Sequence, residues 1–296
     1  MPILTVENLY KNYSRVQALK NVSFSVPEGS VFGILGPNGS GKTTLLGIIM
    51  DVLKATKGTY RLFDTAPTAE QRKQIGTLLE TPNFYHYLSA QKNLEISAAI
   101  KGQDKSDIPR VLEIVSLTQR KDSKFSTYSL GMKQRLAIAS CLLGNPQVMV
   151  FDEPTNGLDP VGIAEIRELI KKLHQQGKTI IMASHLLDEV EKVCTHVAIL
   201  KRGELVTTGD VNEILANEDI VEIGAEDNEK LWQVMGTLHN YTNKKQENNL
   251  VQLFYPIGGV DLAEINRHCF NNGVTLNHLQ LKKKSLEAKF FELTNN

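Results

Sequence analysis

Gly36-Pro37-Asn38-Gly39-Ser40-Gly41-Lys42-Thr43-Thr44 fits the pattern G-x-x-x-x-G-K-[ST]. Phosphate oxygens need hydrogen-bond donors and positive charge around them. Successive N–H groups of a glycine-rich turn form a concave anion nest, and the following helix adds the positive end of its dipole. Gly36, Gly39 and Gly41 let the backbone approach without an intervening Cβ. In such a loop Lys42 reaches the β- and γ-phosphates, the Thr43 hydroxyl holds Mg²⁺, and Thr44 adds a phosphate contact. The fixed positions match by chance in on the order of one in a hundred chains of this length. The flanks lower that chance further, because an apolar strand pattern, Ser30–Leu35, precedes the loop and a helix pattern, Lys42–Leu53, follows it.

Working outward, Ile3–Tyr10 and Ala18–Val26 read as strands and predict an N-terminal antiparallel β subdomain. Val148–Phe151, Thr179–Ala183 and His196–Leu200 are short apolar runs of the kind buried in a parallel sheet. Between them, Ile163, Ile166, Leu169, Ile170 and Leu173 recur at helical spacing, with Pro160 suited to a first turn and Gly177 to a stop. Strands alternating with helices predict an α/β fold with a P-loop NTPase core. The stretch from about 85 to 145 is mostly helical in pattern and reads as an inserted subdomain; within it Gly131–Leu143 is expected to be a helix. Near Asn217 the character changes. Asp219–Ile223, Asn249–Phe254 and Val274–Leu281 read as strands, and Asp227–Leu238 and Asp261–Asn271 as helices. The expected organisation is a nucleotide-binding domain over 1–218 and a small α/β domain over 219–296.

The chain has 296 residues, 41% of them hydrophobic, enough for about two domains. Lys+Arg and Asp+Glu are both 33, a balance that argues against a sequence-independent nucleic-acid binder. No apolar run approaches the roughly 18 residues of a membrane span, and no segment has the form of a secretory signal. Membrane attachment is therefore expected only through partners. Cys141, Cys194 and Cys269 have no metal-ligand spacing and read as reduced, buried thiols. Lys282-Lys283-Lys284 reads as a solvated face.

Two further segments carry chemistry. Val148-Met149-Val150-Phe151-Asp152-Glu153 is an apolar strand ending in two carboxylates. At a strand's C-terminal edge, Asp152 can hold the Mg²⁺ shell and Glu153 can polarise an attacking water. Tyr128-Ser129-Leu130-Gly131-Met132 lies between the glycine loop and this pair. Taken together and in this order, the segments make the chain resemble the ATP-binding subunit of ABC transporters over about residues 2 to 220. The second segment is similar to that family's signature (Leu-Ser-Gly-Gly-Gln in its usual form). Asp152-Glu153-Pro154-Thr155-Asn156-Gly157-Leu158-Asp159 resembles the acidic pair and the loop after it. Ser184-His185 resembles the switch histidine, and Tyr13, with Ala18-Leu19 after it, the aromatic that stacks on adenine.

The resemblance implies head-to-tail pairing of two such domains, each ATP sandwiched between the glycine loop of one and Ser129 and Gly131 of the other. It implies that Glu153 activates water, that Lys42 and His185 bind the γ-phosphate, and that Thr43 and Asp152 hold Mg²⁺. Asp159 either caps the helix that starts at Pro160, contacts the partner across the interface, or does both. The implied partners are multi-span membrane permease subunits and a second ATPase subunit, identical or paired, with no nucleic acid. The implied location is peripheral, on the cytoplasmic face of the bacterial inner (plasma) membrane.

Two positions depart from the commonest form. Glu80 stands where the family usually has a glutamine that reaches Mg²⁺ and the attacking water, and Leu130 replaces a signature glycine, reducing backbone freedom there. Both departures resemble the branch with bacitracin- and lantibiotic-type exporters. The aromatic stretch Pro82-Asn83-Phe84-Tyr85-His86-Tyr87-Leu88 reads either as a groove for a helix of the membrane subunit or as packing of the helical subdomain. A repair ATPase would need a long coiled coil that the chain lacks, and an ATP-sensing module without turnover is disfavoured by intact Lys42, Asp152, Glu153 and His185. Residues 219–296 carry no motif; support of the paired state or regulation is the expectation drawn from comparable extensions.

Overall fold

Two long antiparallel strands open the chain, β1 (Pro2–Tyr13) and β2 (Val16–Pro27), and run past both ends of the strands read from sequence. Leu4, Val6, Leu9, Leu19, Val22 and Val26 face inward, none more than 1% exposed. β3 (Val31–Leu35), buried at every position, feeds the glycine loop and α1 (Lys42–Ile49). α1 stops short of the expected Leu53 because the chain folds back. Asp51 adopts φ +63°, and the amides of Val52 and Leu53 both donate to Gly47 O, at 2.9 and 3.0 Å. β4 (Lys57–Leu62) then pairs with β1 and completes a sheet of order β2-β1-β4. The pattern reading missed β4, along which only Leu62 is buried.

After α2 (Ala69–Lys73) and β5 (Ile75–Leu78) come the helices α3 (Ala90–Lys101), α4 (Ile108–Ile114) and α5 (Leu130–Leu142), within the stretch expected to be helical. β6 (Val148–Asp152), α6 (Pro160–Gln175), β7 (Thr179–Ser184), α7 (Leu187–Glu191), β8 (His196–Lys201) and β9 (Glu204–Asp210) follow. Six strands make one sheet of order β5-β6-β7-β3-β8-β9, with β5 through β8 running parallel. A parallel sheet covered on both faces needs apolar residues at every position, which is why β3, β6 and β7 read as unbroken apolar runs. In register, Leu35 pairs with Ser184 and Asp152 with Ala183, so the C-terminal ends of β6, β7 and β3 lie side by side. Ligands of open α/β sheets bind at that edge.

The computed structural model describes residues 1–79, 83–215, 219–247, 249–256 and 258–283, with 286 and 290. They fall into two units, Met1–Gly209 and Asp210–Asn296, a division ahead of the 218/219 boundary expected from sequence. Asp210 accepts a 2.7 Å hydrogen bond from the amide of Asn212 and so opens α8 (Val211–Leu215), a helix that falls with the second unit.

The second unit continues with β10 (Asp219–Ala225), α9 (Asn228–Met235), β11 (Asn243–Glu247), β12 (Leu250–Tyr255), α10 (Leu262–Asn271) and β13 (Leu276–Lys283). Its sheet has the order β11-β12-β10-β13 with antiparallel pairing, the β-α-β-β-α-β arrangement of ferredoxin-like units. Val221, Ile223, Val251, Leu253 and Tyr255 form one face and pack with Leu231 and Met235 of α9 and Ile265 and Cys269 of α10. β11 is Asn-Lys-Lys-Gln-Glu and has no apolar alternation to read. Lys282 is exposed, as expected of a solvated face, and also donates at 2.9 Å to Glu222, which is 7% exposed and accepts from Gln252 at 2.9 Å. Burial pushes the Glu222 carboxyl up, but the bonds from Lys282 and Gln252 outweigh it and hold it below the ordinary range. Lys284 lies outside the described residues.

Trp232, the one tryptophan in the sequence, sits on the edge of the second unit's core with the Lys244 ammonium 4.2 Å from its ring centroid. Ile223→Ala is expected to cost about 2–5 kcal/mol, read as a lower urea midpoint followed by Trp232 fluorescence. An unmoved midpoint would show that Ile223 does not belong to the core around that tryptophan.

Candidate functional site

The glycine loop owes its shape to backbone that side chains rarely adopt. Gly36, Gly39 and Gly41 have φ of +155°, +78° and +108°. Gly41 is the N-cap of α1 and supplies no side-chain cap, so the first amides of the helix are left for an outside acceptor. The Ser40 amide donates to Pro37 O at 3.1 Å and tightens the turn; its buried hydroxyl oxygen has no partner among the described residues. Lys42 is only 5% exposed, and its ammonium donates to Gly36 O at 2.8 Å and Pro37 O at 3.3 Å.

The acidic pair reaches the same place from β6. Asp152, 5% exposed, is the strand's last residue. Glu153 then turns into left-handed backbone, φ +49°, with its amide tied to Ala183 O at 3.0 Å. A non-glycine residue in that region costs about 1–2 kcal/mol, and it is the turn that swings the carboxylate off the strand. One carboxylate oxygen lies 3.3 Å from the Lys42 ammonium, and the other 2.8 Å from His185 Nδ1. His185 is delivered by the end of β7, where the Leu186 amide donates to the Ser184 hydroxyl at 3.0 Å. Lys42, Glu153 and His185, far apart in sequence, are thus in contact.

A cavity of about 950 Å³ opens over this cluster. Asn38, Gly39, Gly41, Lys42, Thr43, Thr44 and Glu153 line it, with Asn12, Ser14, Arg15, Val16, Gln17, Ala18 and Lys20 from the β1–β2 hairpin and Arg202 from the β8–β9 turn. Its basic side chains are Arg15, Lys20, Lys42 and Arg202, against the single carboxylate of Glu153, which suits a polyanion. Tyr13 is not in that lining, although both its neighbours are; its ring is 43% exposed with the Lys11 ammonium 4.9 Å from its centroid. Sequence reasoning missed Arg15, Lys20 and Arg202. For Arg202 the available signal was the turn dipeptide Arg202-Gly203.

Ser129 and Gly131 are not in the cavity of their own chain. Ser129 is the N-cap of α5, its hydroxyl accepting from the Met132 amide at 3.3 Å. Leu130 is the first helical residue and has no positive φ, so the position does not call for glycine and the expected loss of backbone freedom carries no strain. Its side chain is 48% exposed and packs toward Gly157. Tyr128, buried below it, donates to Arg120 O at 2.7 Å; burial pushes its hydroxyl up, against the opposing charges of Arg120 and Arg135. Asp159 caps α6, accepting from the Gly162 amide at 3.0 Å. Glu80, Thr81 and Pro82 lie outside the described residues, so the Glu80 expectation has no structural counterpart here.

The aromatic stretch divides between its two readings. Phe84 packs edge-on against Phe125 of the helical segment, with ring centroids 5.2 Å apart. Tyr85 and Tyr87 stand out, 50% and 68% exposed. Asn93, 1% exposed, pins the loop beneath them, accepting from the Tyr85 amide at 2.7 Å and donating to Tyr85 O at 3.1 Å.

Comparison with known proteins identifies the family. The ABC transporter family matches residues 19–156. The bacitracin transport ATP-binding protein BcrA of Enterococcus faecalis is 34% identical over 297 residues, spanning 98% of this chain and 96% of BcrA. The lantibiotic transport ATP-binding protein SrtF of Streptococcus pyogenes is 36% identical over 204 residues, 69% of this chain and 89% of SrtF. The dimeric structure of a post-hydrolysis state of the ATP-binding cassette MJ0796, bound to ADP and Pi, superimposes with a TM-score of 0.62 at 28% identity, over 70% of this chain and 98% of that one.

The loop geometry is directly testable. A Cβ on Gly41 would sit 2.6 Å from Ala18 O and 2.8 Å from a Leu19 methyl, at a φ that side chains avoid. Gly41→Ala is expected to weaken Mg-nucleotide binding by at least about tenfold, measured by calorimetry, with the circular dichroism spectrum of a folded chain. Wild-type affinity in this variant would show that the loop shape does not govern binding.

Proposed function

The chain belongs to the ABC transporter family as an ATP-binding, ATP-hydrolysing subunit, and from that premise we propose roles for its individual residues, its metal and its cargo. The observation that carries the proposal is Glu153, held 3.3 Å from Lys42 and 2.8 Å from His185 at the floor of a basic cavity.

Glu153 is the group that accepts the proton of the attacking water. Its strand-edge turn aims the carboxylate into the cavity, and His185 fixes one oxygen so that the other serves as base. Lys42, Thr44 and the open amides of α1 bind the phosphate tail. The oxygen donors of Thr43, exposed in the cavity wall, and Asp152, at the end of β6, are the hard ligands that Mg²⁺ requires. When bound, Mg²⁺ supplies positive charge to the phosphate oxygens. Tyr13, one residue from the hairpin positions in the cavity wall, is proposed for adenine stacking. Ser129, Gly131 and Asp159 are proposed to act in the cavity of a second copy.

The membrane partner is proposed to be a multi-span permease, with the exposed Tyr85 and Tyr87 over the Asn93-pinned loop as its contact. Among the described residues no helix is long and apolar enough to cross a membrane, which supports a peripheral position. The likeness to BcrA and SrtF supports export of peptide antibiotics of the bacitracin or lantibiotic kind. Residues 1–218 are proposed as the ATP-binding domain and 219–296 as an accessory domain that supports the pair or regulates it; BcrA aligns over 98% of the chain and so over this extension.

Glu153→Gln is expected to lower steady-state turnover by about 10²–10⁴-fold, the usual contribution of a general base, while retaining ATP-dependent dimerisation on size exclusion. A fall of less than tenfold would remove Glu153 from that role. Tyr85→Ala is expected to leave basal ATPase activity intact and to reduce co-purification with the permease. Undiminished co-purification and transport would rule out the contact.

A further inference from the structure

The turn between β8 and β9 is fastened on two sides. The Gly203 amide donates to Ser40 O in the glycine loop at 3.0 Å, and Gly203 O accepts from the Lys20 amide on β2 at 2.7 Å. A Cβ on Gly203, at φ +83°, would lie 2.7 Å from Ala18 O, so only glycine lets the turn press this closely. Arg202 precedes it in left-handed backbone, φ +50°. Such a residue is held there by its surroundings, and here both surroundings are walls of the cavity.

Arg202 lines the cavity, and among the described residues no carboxylate lies within ion-pairing distance of it. Lys20, beside it, is already paired with Glu204 at 3.0 Å, and Lys42 with Glu153 at 3.3 Å. The turn also has a defined place along the cavity. It is tied to Ser40, two residues before Lys42, on one side and to Ala18–Lys20 on the other. Terminal phosphates belong to the Lys42 end, and a base to the end formed by Asn12–Val16.

We propose that Arg202 is a nucleotide-binding residue whose guanidinium meets the ribose and α-phosphate section of the bound nucleotide. This rests on the reading of the cavity as the ATP site. A guanidinium presents a rigid fork of donors that matches a phosphate edge, where a lysine offers only a point charge. Contact with this section, rather than the γ-phosphate, makes it a ground-state binding group that treats ATP and ADP alike.

The test compares full-length Arg202→Gln and Arg202→Lys with wild type and a Lys42→Ala control. Mg-ADP is titrated by calorimetry, Mg-ATP in a Glu153→Gln background, and AMP by competition against a fluorescent ADP analogue. Arg202→Gln is expected to weaken all three nucleotides by about the same factor, roughly tenfold for one charge-assisted contact. Arg202→Lys recovers part of the loss. ATPase KM rises by a similar factor with kcat unchanged, the mark of uniform binding. A loss confined to ATP would put the guanidinium on the terminal phosphate, and unchanged affinities would make Arg202 a solvated surface charge; either overturns the proposal. Lys42→Ala separates the two levels. If it too binds like wild type, the ATP-site premise fails; if it loses binding while Arg202→Gln does not, only Arg202 is wrong.

Discussion

Lys42 carries a full charge at 5% exposure, a depth at which an isolated ammonium would cost several kcal/mol. It is tolerated because two carbonyls of its own loop, Gly36 O and Pro37 O, and the Glu153 carboxylate surround it. That one ion pair ties together segments with separate origins. The loop must close tightly enough to present its carbonyls, which needs glycine at left-handed positions. β6 must end where it does, and Glu153 must accept left-handed backbone, for the carboxylate to arrive. In the proposed site an incoming phosphate competes for the same ammonium, which would couple nucleotide binding to release of the carboxylate through Lys42. His185 Nδ1 lies 2.8 Å from the other oxygen.

Much of this was legible from sequence, for a physical reason. Strands buried on both faces have no alternation and little tolerance for polar residues, so β3, β6 and β7 declare themselves as short apolar runs. The chemistry of a parallel sheet lies at the C-terminal ends of those same strands. The run of β6 located Asp152 and Glu153, while Lys42 came from the glycine pattern after β3 and His185 from the family resemblance at the end of β7. Elements stabilised chiefly by pairing to a neighbour did not declare themselves. β4 has a single buried residue and β11 has no apolar residue at all, yet each extends an existing sheet. The end of α1 was misplaced because its stop is a tertiary event, Leu53 folding back on Gly47, with no proline or helix-terminal glycine to announce it.

The cavity rim was the least legible part, since it is assembled from turns. Arg15 and Arg202 lie nearly the length of the first unit apart in sequence and carry no motif. They share a wall because Gly203 has no side chain and can bond to Ser40 and Lys20 at once. Tyr13 illustrates the converse. A motif match proposes it for the base, and the cavity wall runs through Asn12 and Ser14 on either side of it.

The signature helix makes the strongest case for a second polypeptide. Ser129 caps α5, Gly131 has no atom within 4 Å of its Cβ position except a backbone carbon of Gly162 at 4.0 Å, and neither residue lines the cavity of its own chain. The helix N-terminus nevertheless has the equipment of an anion site: a hydroxyl, a glycine that permits close approach, and no acidic residue in its first turn to occupy the dipole. Around it Leu130 and Val161 are 48% and 68% exposed. An exposed anion-binding helix end with apolar neighbours is poorly used in a monomer, where water competes for every donor. In the proposed pairing with a second copy the apolar neighbours exclude that water, and the donors face the phosphate proposed for Lys42 on the other side. In that proposal the phosphate carries the interface, and its hydrolysis removes the bond that joins the halves.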